Sequence, residues 1–142
     1  MHDSERSRTG DLMVAAGAVS ALLAVAAGAF GAHALAARVG DDGLRTFETA
    51  ARYQMYHAVA LLFAGRFLVR RPTRVLLASC WLFLLGTLLF SGSLYGLALS
   101  EARWLGAVTP AGGLLFLLGW LCLGLGALRR MPSSPDADSR RI

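Results

Sequence analysis

The sequence predicts an all-α integral membrane protein, a four-helix bundle of two antiparallel hairpins, and three observations lead there. Hydrophobic residues make up 56% of the 142 residues and charged ones only 16%, against about 25% charged in ordinary soluble domains. Long stretches without a charged side chain recur along the chain, and the 14 basic residues, all arginine, crowd into the segments between them. A soluble chain of this size could not bury so much apolar surface and still present a charged exterior, so the composition fits lipid as solvent.

Residues 1–11 are polar and charged, and are expected to form a cytoplasmic tail, mobile at its start. Leu12 to Ala37 contains no Asp, Glu, Arg or Lys. At about 1.5 Å per residue such a run crosses a hydrocarbon layer of roughly 30 Å. It also exceeds the roughly 7–15 residue core of a cleaved signal peptide, so it is expected to stay as the first span, 12–37.

Arg38 to Arg52 is the most charged internal connection. Gly40 and Gly43 favour a turn, and Asp41 or Asp42 suits the cap of an interfacial helix over 42–52, the alternative being a solvated loop with a helical entrance. The second span, 53–69, is short and holds Arg66, whose guanidinium must reach the headgroups while its stem stays in apolar surroundings. Pro72, in the cluster RRPTR, suits a turn because it lacks the donor a continuing helix needs. Spans 75–99 and 104–128 follow, and the short connection between them forces antiparallel neighbours. Pro110 falls early in the last span, where a missing donor matters least, and 129–142 reads as a disordered cytoplasmic tail.

The arginines orient the bundle. Ten lie in the two tails and the connection between spans two and three, counting Arg66, whose charge reaches that side, and four in the other connections. The positive-inside rule then places both termini in the cytoplasm. The same distribution excludes nucleic acid as a partner, because no polar domain remains to carry a basic face. Membrane lipids surround such a protein, and a membrane-protein partner or a second copy is the macromolecular contact left open.

Small residues four apart, Ala24, Gly28 and Ala32 in the first span and Gly92 and Gly96 in the third, are expected helix-packing positions, since close backbone approach drives association in lipid. The topology also gathers polar residues at the outer end: His33, Glu48, Arg52, Gln54, Tyr56, His57, Ser91, Ser93, Tyr95 and Thr109. Polar groups at membrane depth face protein or a watery cavity. Glu48 and Arg52, four apart on one helical face, can compensate each other. The set reads as a structural network or as a pocket for a small ligand or anionic headgroup.

No cofactor or metal is expected. His33 and His57 have neither a haem attachment motif nor the further ligands of a zinc site, and Cys80 and Cys122 read as small hydrophobes. No nucleophile–base arrangement, phosphate loop or paired acidic motif marks an enzyme, although Glu48 and His57 are the pair a membrane enzyme would use.

Four ordered stretches carry a resemblance: GAFGAHAL (28–35), TFETAARYQMYHAVALL (46–62), LFSGSLYGLAL (89–99) and LGAVTPAGGLLFLLGWL (105–121). Together they resemble the bacterial YgdD/YwdK family of small integral membrane proteins over roughly residues 12–128. The resemblance implies a four-helix inner-membrane protein of uncharacterised function and supplies no catalytic assignment. Its motif positions fall here on Gly31, His33, Glu48, Arg52, Tyr56, His57, Ser91, Ser93, Tyr95, Thr109, Pro110 and Gly113. The function expected is structural or accessory, with a lipid or small-molecule binder or transporter as the alternative.

Overall fold

The computed structural model describes residues 2–35, 38–100 and 102–128; within them the side chains of residues 2–4, 6, 7 and 32 are outside the description. The described residues form four α-helices and one π-helical turn. Helix α1 (His2–Phe30) runs into the turn (Gly31–Leu35), followed by α2 (Asp41–Arg70), α3 (Arg74–Ser100) and α4 (Leu105–Leu128). The segment 129–142, expected to be a disordered tail, lies outside the described residues.

Two boundaries differ from the sequence expectation. Helix α1 starts at His2, ahead of the apolar run, and is already packed closely on α2 at Gly10, where a Cβ would come within 2.9 Å of the Val69 backbone. The expected interfacial helix and second span are one continuous helix, since no breaker separates 52 from 53. Asp41 and Asp42 occupy its first turn, where acidic groups oppose the helix dipole. It ends where the Arg71 amide donates to the Phe67 carbonyl at 2.7 Å and Pro72 follows.

Among the described residues, three segments are long and apolar enough to cross a membrane: Arg8–Leu35, Arg74–Ser100 and Leu105–Leu128. Helix α2 carries Asp41, Asp42, Arg45, Glu48, Arg52, Arg66 and Arg70, yet it lies between α1 and α3 and packs extensively on both. Its apolar side, including Ala50, Ala58, Leu61, Ala64 and Leu68, faces inward, with α1 on one flank and α3 on the other. Helix α4 packs chiefly on α3.

The tight seams repeat every seven residues. On α4, Gly119 and Gly126 receive the side chains of Phe83 and Leu76 of α3 and Gly112 abuts the Phe90 backbone, three α3 positions that are themselves seven apart. On α1, Gly10 meets Gly65 and Val69 of α2 and Gly17 meets Ala58 and Leu62, and at the start of the π-helical turn Gly31 meets the Phe47 ring. Ala24, buried, continues that row. A seven-residue period keeps one face of each helix on its partner.

These rows correct the four-residue packing expectation. A Cβ at Gly28 or Gly92 would meet nothing within 4 Å, so neither glycine sits in a seam within the chain. At Gly96 it would meet only the Leu105 side-chain tip, at 2.7 Å, and the Ala32 side chain is among those not described. The spacing found small residues but could not say which face of each helix was covered.

The main core joins all four helices through Met13, Leu61, Leu68, Leu76, Cys80, Phe83 and Phe116. A smaller cluster of Leu35, Phe47 and Ala98 closes the other end. Outside, Leu22, Leu88, Leu117 and Leu121 are all more than half exposed, as is Trp104. An apolar exterior this extensive is what a lipid-facing surface requires.

Candidate functional site

The polar residues expected to gather at one end of the bundle separate into groups, and the helical seams decide the separation. Gln54 lies on the buried side of α2. Its Nε2 donates to the Ser20 carbonyl of α1 at 3.0 Å, and its Oε1 accepts from the Tyr95 hydroxyl of α3 at 2.9 Å. One amide thus fastens three helices. Tyr95 is held from below by Phe47, with ring centroids 4.8 Å apart.

A second clasp joins α3 to α4. The Ser93 and Thr109 hydroxyl oxygens are 2.8 Å apart, and Ser93 Oγ also reaches the Phe90 carbonyl at 3.0 Å. Nearer the other end, Ser79 Oγ donates to the Gly119 carbonyl at 3.0 Å. Ser79 was not among the expected site residues. Its signal in the sequence was only its place on α3, three residues ahead of Leu82 and four ahead of Phe83 on the face that meets Gly119.

His57 forms the third group. Its Nδ1 lies 2.8 Å from the Tyr53 carbonyl, which can only accept, so Nδ1 carries the proton. That leaves the Nε2 lone pair for the Trp120 indole N–H, 3.3 Å away. The ring stacks on Phe116 and stands beside Phe83. Both nitrogens of a neutral imidazole are therefore engaged, and neither is offered to a substrate or an iron. An open groove of about 410 Å³ lies alongside, walled by Tyr53, Tyr56, Phe90, Phe116 and Trp120.

The remaining expected residues do not join these clasps. His33 is exposed on the π-helical turn. Glu48 and Arg52 are exposed on α2 and form no ion pair with each other or with any other described residue. They belong with Tyr56 to a shallow groove of about 320 Å³ over Ala24 and Gly28. Glu48 and His57, the pair an enzyme would use, sit on different sides of α2. Ser91 is buried, and its hydroxyl has no hydrogen-bond partner. A further open cavity, about 620 Å³ at the end of the bundle, was not anticipated; Arg38, Asp42 and Arg103 are among its walls.

An all-helical membrane protein whose inward polar groups fasten one helix to the next is the class this geometry defines. The chain belongs to the DUF423 family, described as a protein of unknown function, whose model matches residues 27–113. That interval holds Gln54, His57, Ser79, Ser93, Tyr95 and Thr109, while the Ser20 and Gly119 carbonyls and the rings of Phe116 and Trp120 that meet His57 lie outside it. Similar proteins include a UPF0382 membrane protein of Staphylococcus epidermidis, 46% identical over 113 residues, covering 80% of this chain and 92% of the relative. The UPF0382 membrane protein YwdK of Bacillus subtilis is 41% identical over 115 residues, covering 80% and 93%. No solved structure matches the chain.

Proposed function

We propose that this chain is a four-span protein of the bacterial inner membrane, two antiparallel hairpins with both termini in the cytoplasm, and that its role is structural or accessory to a membrane partner. The observation that carries the role is the engagement of the inward polar side chains. With Ser91 the exception among the described residues, Gln54, Tyr95, Ser93, Thr109, Ser79 and His57 each hydrogen-bond to a neighbouring helix. Ser93, Thr109 and His57 also bond a carbonyl of their own helix. Groups used this way hold a bundle together and are not free to bind or transfer protons.

The topology draws support from charge and contact order. Gly10 lies beside Gly65 and Val69, while Phe30 lies beside Phe47, so α1 and α2 run oppositely. This puts Arg8, Arg66 and Arg70 at one end of the bundle, where α3 begins at Arg74. Arginine retained on one side favours that side as cytoplasmic. Native co-purification from membranes, with identification of bound proteins, lipids and small molecules, tests the role. A protein retained at fixed stoichiometry is the expected result; a retained small molecule with no protein would favour the binder or transporter reading instead.

A further inference from the structure

The groove between α1 and α2 has chemistry that the clasps do not use. Glu48, Arg52 and Tyr56 are spaced one turn apart on a single stripe of α2. All three are exposed, and neither the two charges nor the Tyr56 hydroxyl has a hydrogen-bonding or ionic partner among the described residues. The floor beside them is Ala24 and Gly28, well inside the uncharged run of α1, and the space over Gly28 is open. A guanidinium at that depth is costly unless it rises to the headgroups or meets an anion. Helical side chains lean toward the helix N-terminus, which for α2 is the end nearer the membrane surface, so Arg52 is aimed at the headgroup layer.

The order of the three groups is informative. Read from the surface inward, the stripe presents a carboxylate, a guanidinium and a phenol, each about 6 Å below the last. A phospholipid with an amino headgroup presents, in the same direction, an ammonium, a phosphate and an ester carbonyl. The two series match in sign and in hydrogen-bonding sense at every level. Arginine is suited to hold the phosphate through paired N–H donors, and Glu48 accepts from the ammonium N–H groups.

A second copy of the chain fits less well. Two copies in one membrane with the same orientation are related by a twofold axis along the membrane normal. Such an axis brings each residue to the same depth as its mate, so a second copy offers a carboxylate at the level of Glu48 and a guanidinium at the level of Arg52, like charge at the level of like. We propose that this groove binds an aminophospholipid, with Arg52 on the phosphate, Glu48 on the primary ammonium and Tyr56 on an acyl ester carbonyl. The inference rests on α2 crossing the bilayer, which cysteine labelling tests separately from any lipid readout.

The test uses the full chain in nanodiscs made from equal parts phosphatidylethanolamine, phosphatidylcholine and phosphatidylglycerol, followed by extraction and mass spectrometry of the lipids that stay bound. The choline headgroup has no N–H for Glu48, and the glycerol headgroup has no cation. The natural chain is expected to retain phosphatidylethanolamine about tenfold over phosphatidylcholine, the size of one charge-assisted contact. Glu48→Gln should bring that ratio to about one without loss of total phospholipid, whereas Arg52→Gln should lower retention of all three lipids about tenfold. Thermal unfolding of each variant checks that it is folded, and the ratio for the natural chain stands without any substitution. Equal retention of the ethanolamine and choline lipids by the natural chain, or an unchanged ratio in folded Glu48→Gln, would overturn the proposal. So would a Gly28→Cys chain that cross-links to a second copy and excludes phosphatidylethanolamine.

Discussion

Gln54 is the residue on which the most geometry converges, since one side chain holds a carbonyl of α1 and a hydroxyl of α3. Removing the Tyr95 hydroxyl leaves the Gln54 oxygen buried without its donor. Tyr95→Phe should therefore cost about 1–2 kcal/mol, and Gln54→Leu about as much. Because the two share one bond, the double variant should lose less than the sum, read from denaturant unfolding in detergent micelles. Strict additivity would mean that the bond contributes nothing. Glu48 and Arg52 are the contrasting pair: both are exposed and unpaired, so their Gln variants should be additive in unfolding, with single losses below about 0.5 kcal/mol. Four-residue spacing allowed the two to compensate each other, and among the described residues they form no ion pair. The serines separate in the same way. Ser91 buries a hydroxyl without a partner, so Ser91→Ala should be neutral or stabilising by up to about 1 kcal/mol. Ser79→Ala, which abandons the Gly119 carbonyl, should destabilise. If both serine variants shift the unfolding midpoint equally, burial rather than bonding governs these positions.

At the level of the elements, glycine placement decides how closely the helices approach. A Cβ at Gly112 would press on the backbone nitrogen of Phe90, which cannot move without shifting α3. Gly112→Ala should cost more than about 2 kcal/mol, beyond the roughly 1 kcal/mol that alanine gains by helix propensity. Gly28→Ala and Gly92→Ala meet open space and should be neutral or slightly stabilising. Unfolding midpoints that rank Gly28→Ala below Gly112→Ala would contradict the seven-residue seams. Much of this architecture was legible beforehand. The limits of α3 and α4 follow from where charged residues stop, and the turn at Pro72 from its missing donor. The seams were legible too, in the heptad spacing of Gly10, Gly17, Ala24 and Gly31 and of Gly112, Gly119 and Gly126, but the shorter four-residue spacing pointed to Gly28 and Gly92. Spacing reveals that a face is small; only the partner's large side chains, Leu76, Phe83 and Phe90, reveal that it is covered. For the site, the residue types were readable and their partition was not. Gln54 and Arg52 are two positions apart, and which one faces the bundle depends on the rotation of α2 set by its apolar side.

For the whole molecule the decisive question is the path of α2, because it is central to the packing yet more charged than the three apolar helices. Three crossings would put the termini on opposite faces of the membrane; four put them on the same face. The packing favours four. With α1 crossing, α2 lies antiparallel to it from the Phe30–Phe47 contact to the Gly10–Val69 contact, so it must cover the same depth. A helix lying flat on the surface could not keep both contacts. Its charges are distributed to suit a crossing, with Asp41, Asp42 and Arg45 at one end, Arg66 and Arg70 at the other, and only Glu48 and Arg52 between. Long arginine side chains near the ends can carry their charge to the headgroups. The expected outcome can be read by labelling single cysteines with a membrane-impermeant maleimide in cells, after Cys80 and Cys122 are replaced by alanine. Gly40→Cys, in the connection before α2, should label from outside, and Thr73→Cys, in the connection after it, only once the membrane is opened. Labelling of both from the same side would show that α2 does not cross and reject the paired hairpins. Labelling of Thr73→Cys from outside and Gly40→Cys only from inside would keep the four crossings but reverse them, against the ten-to-four division of arginines.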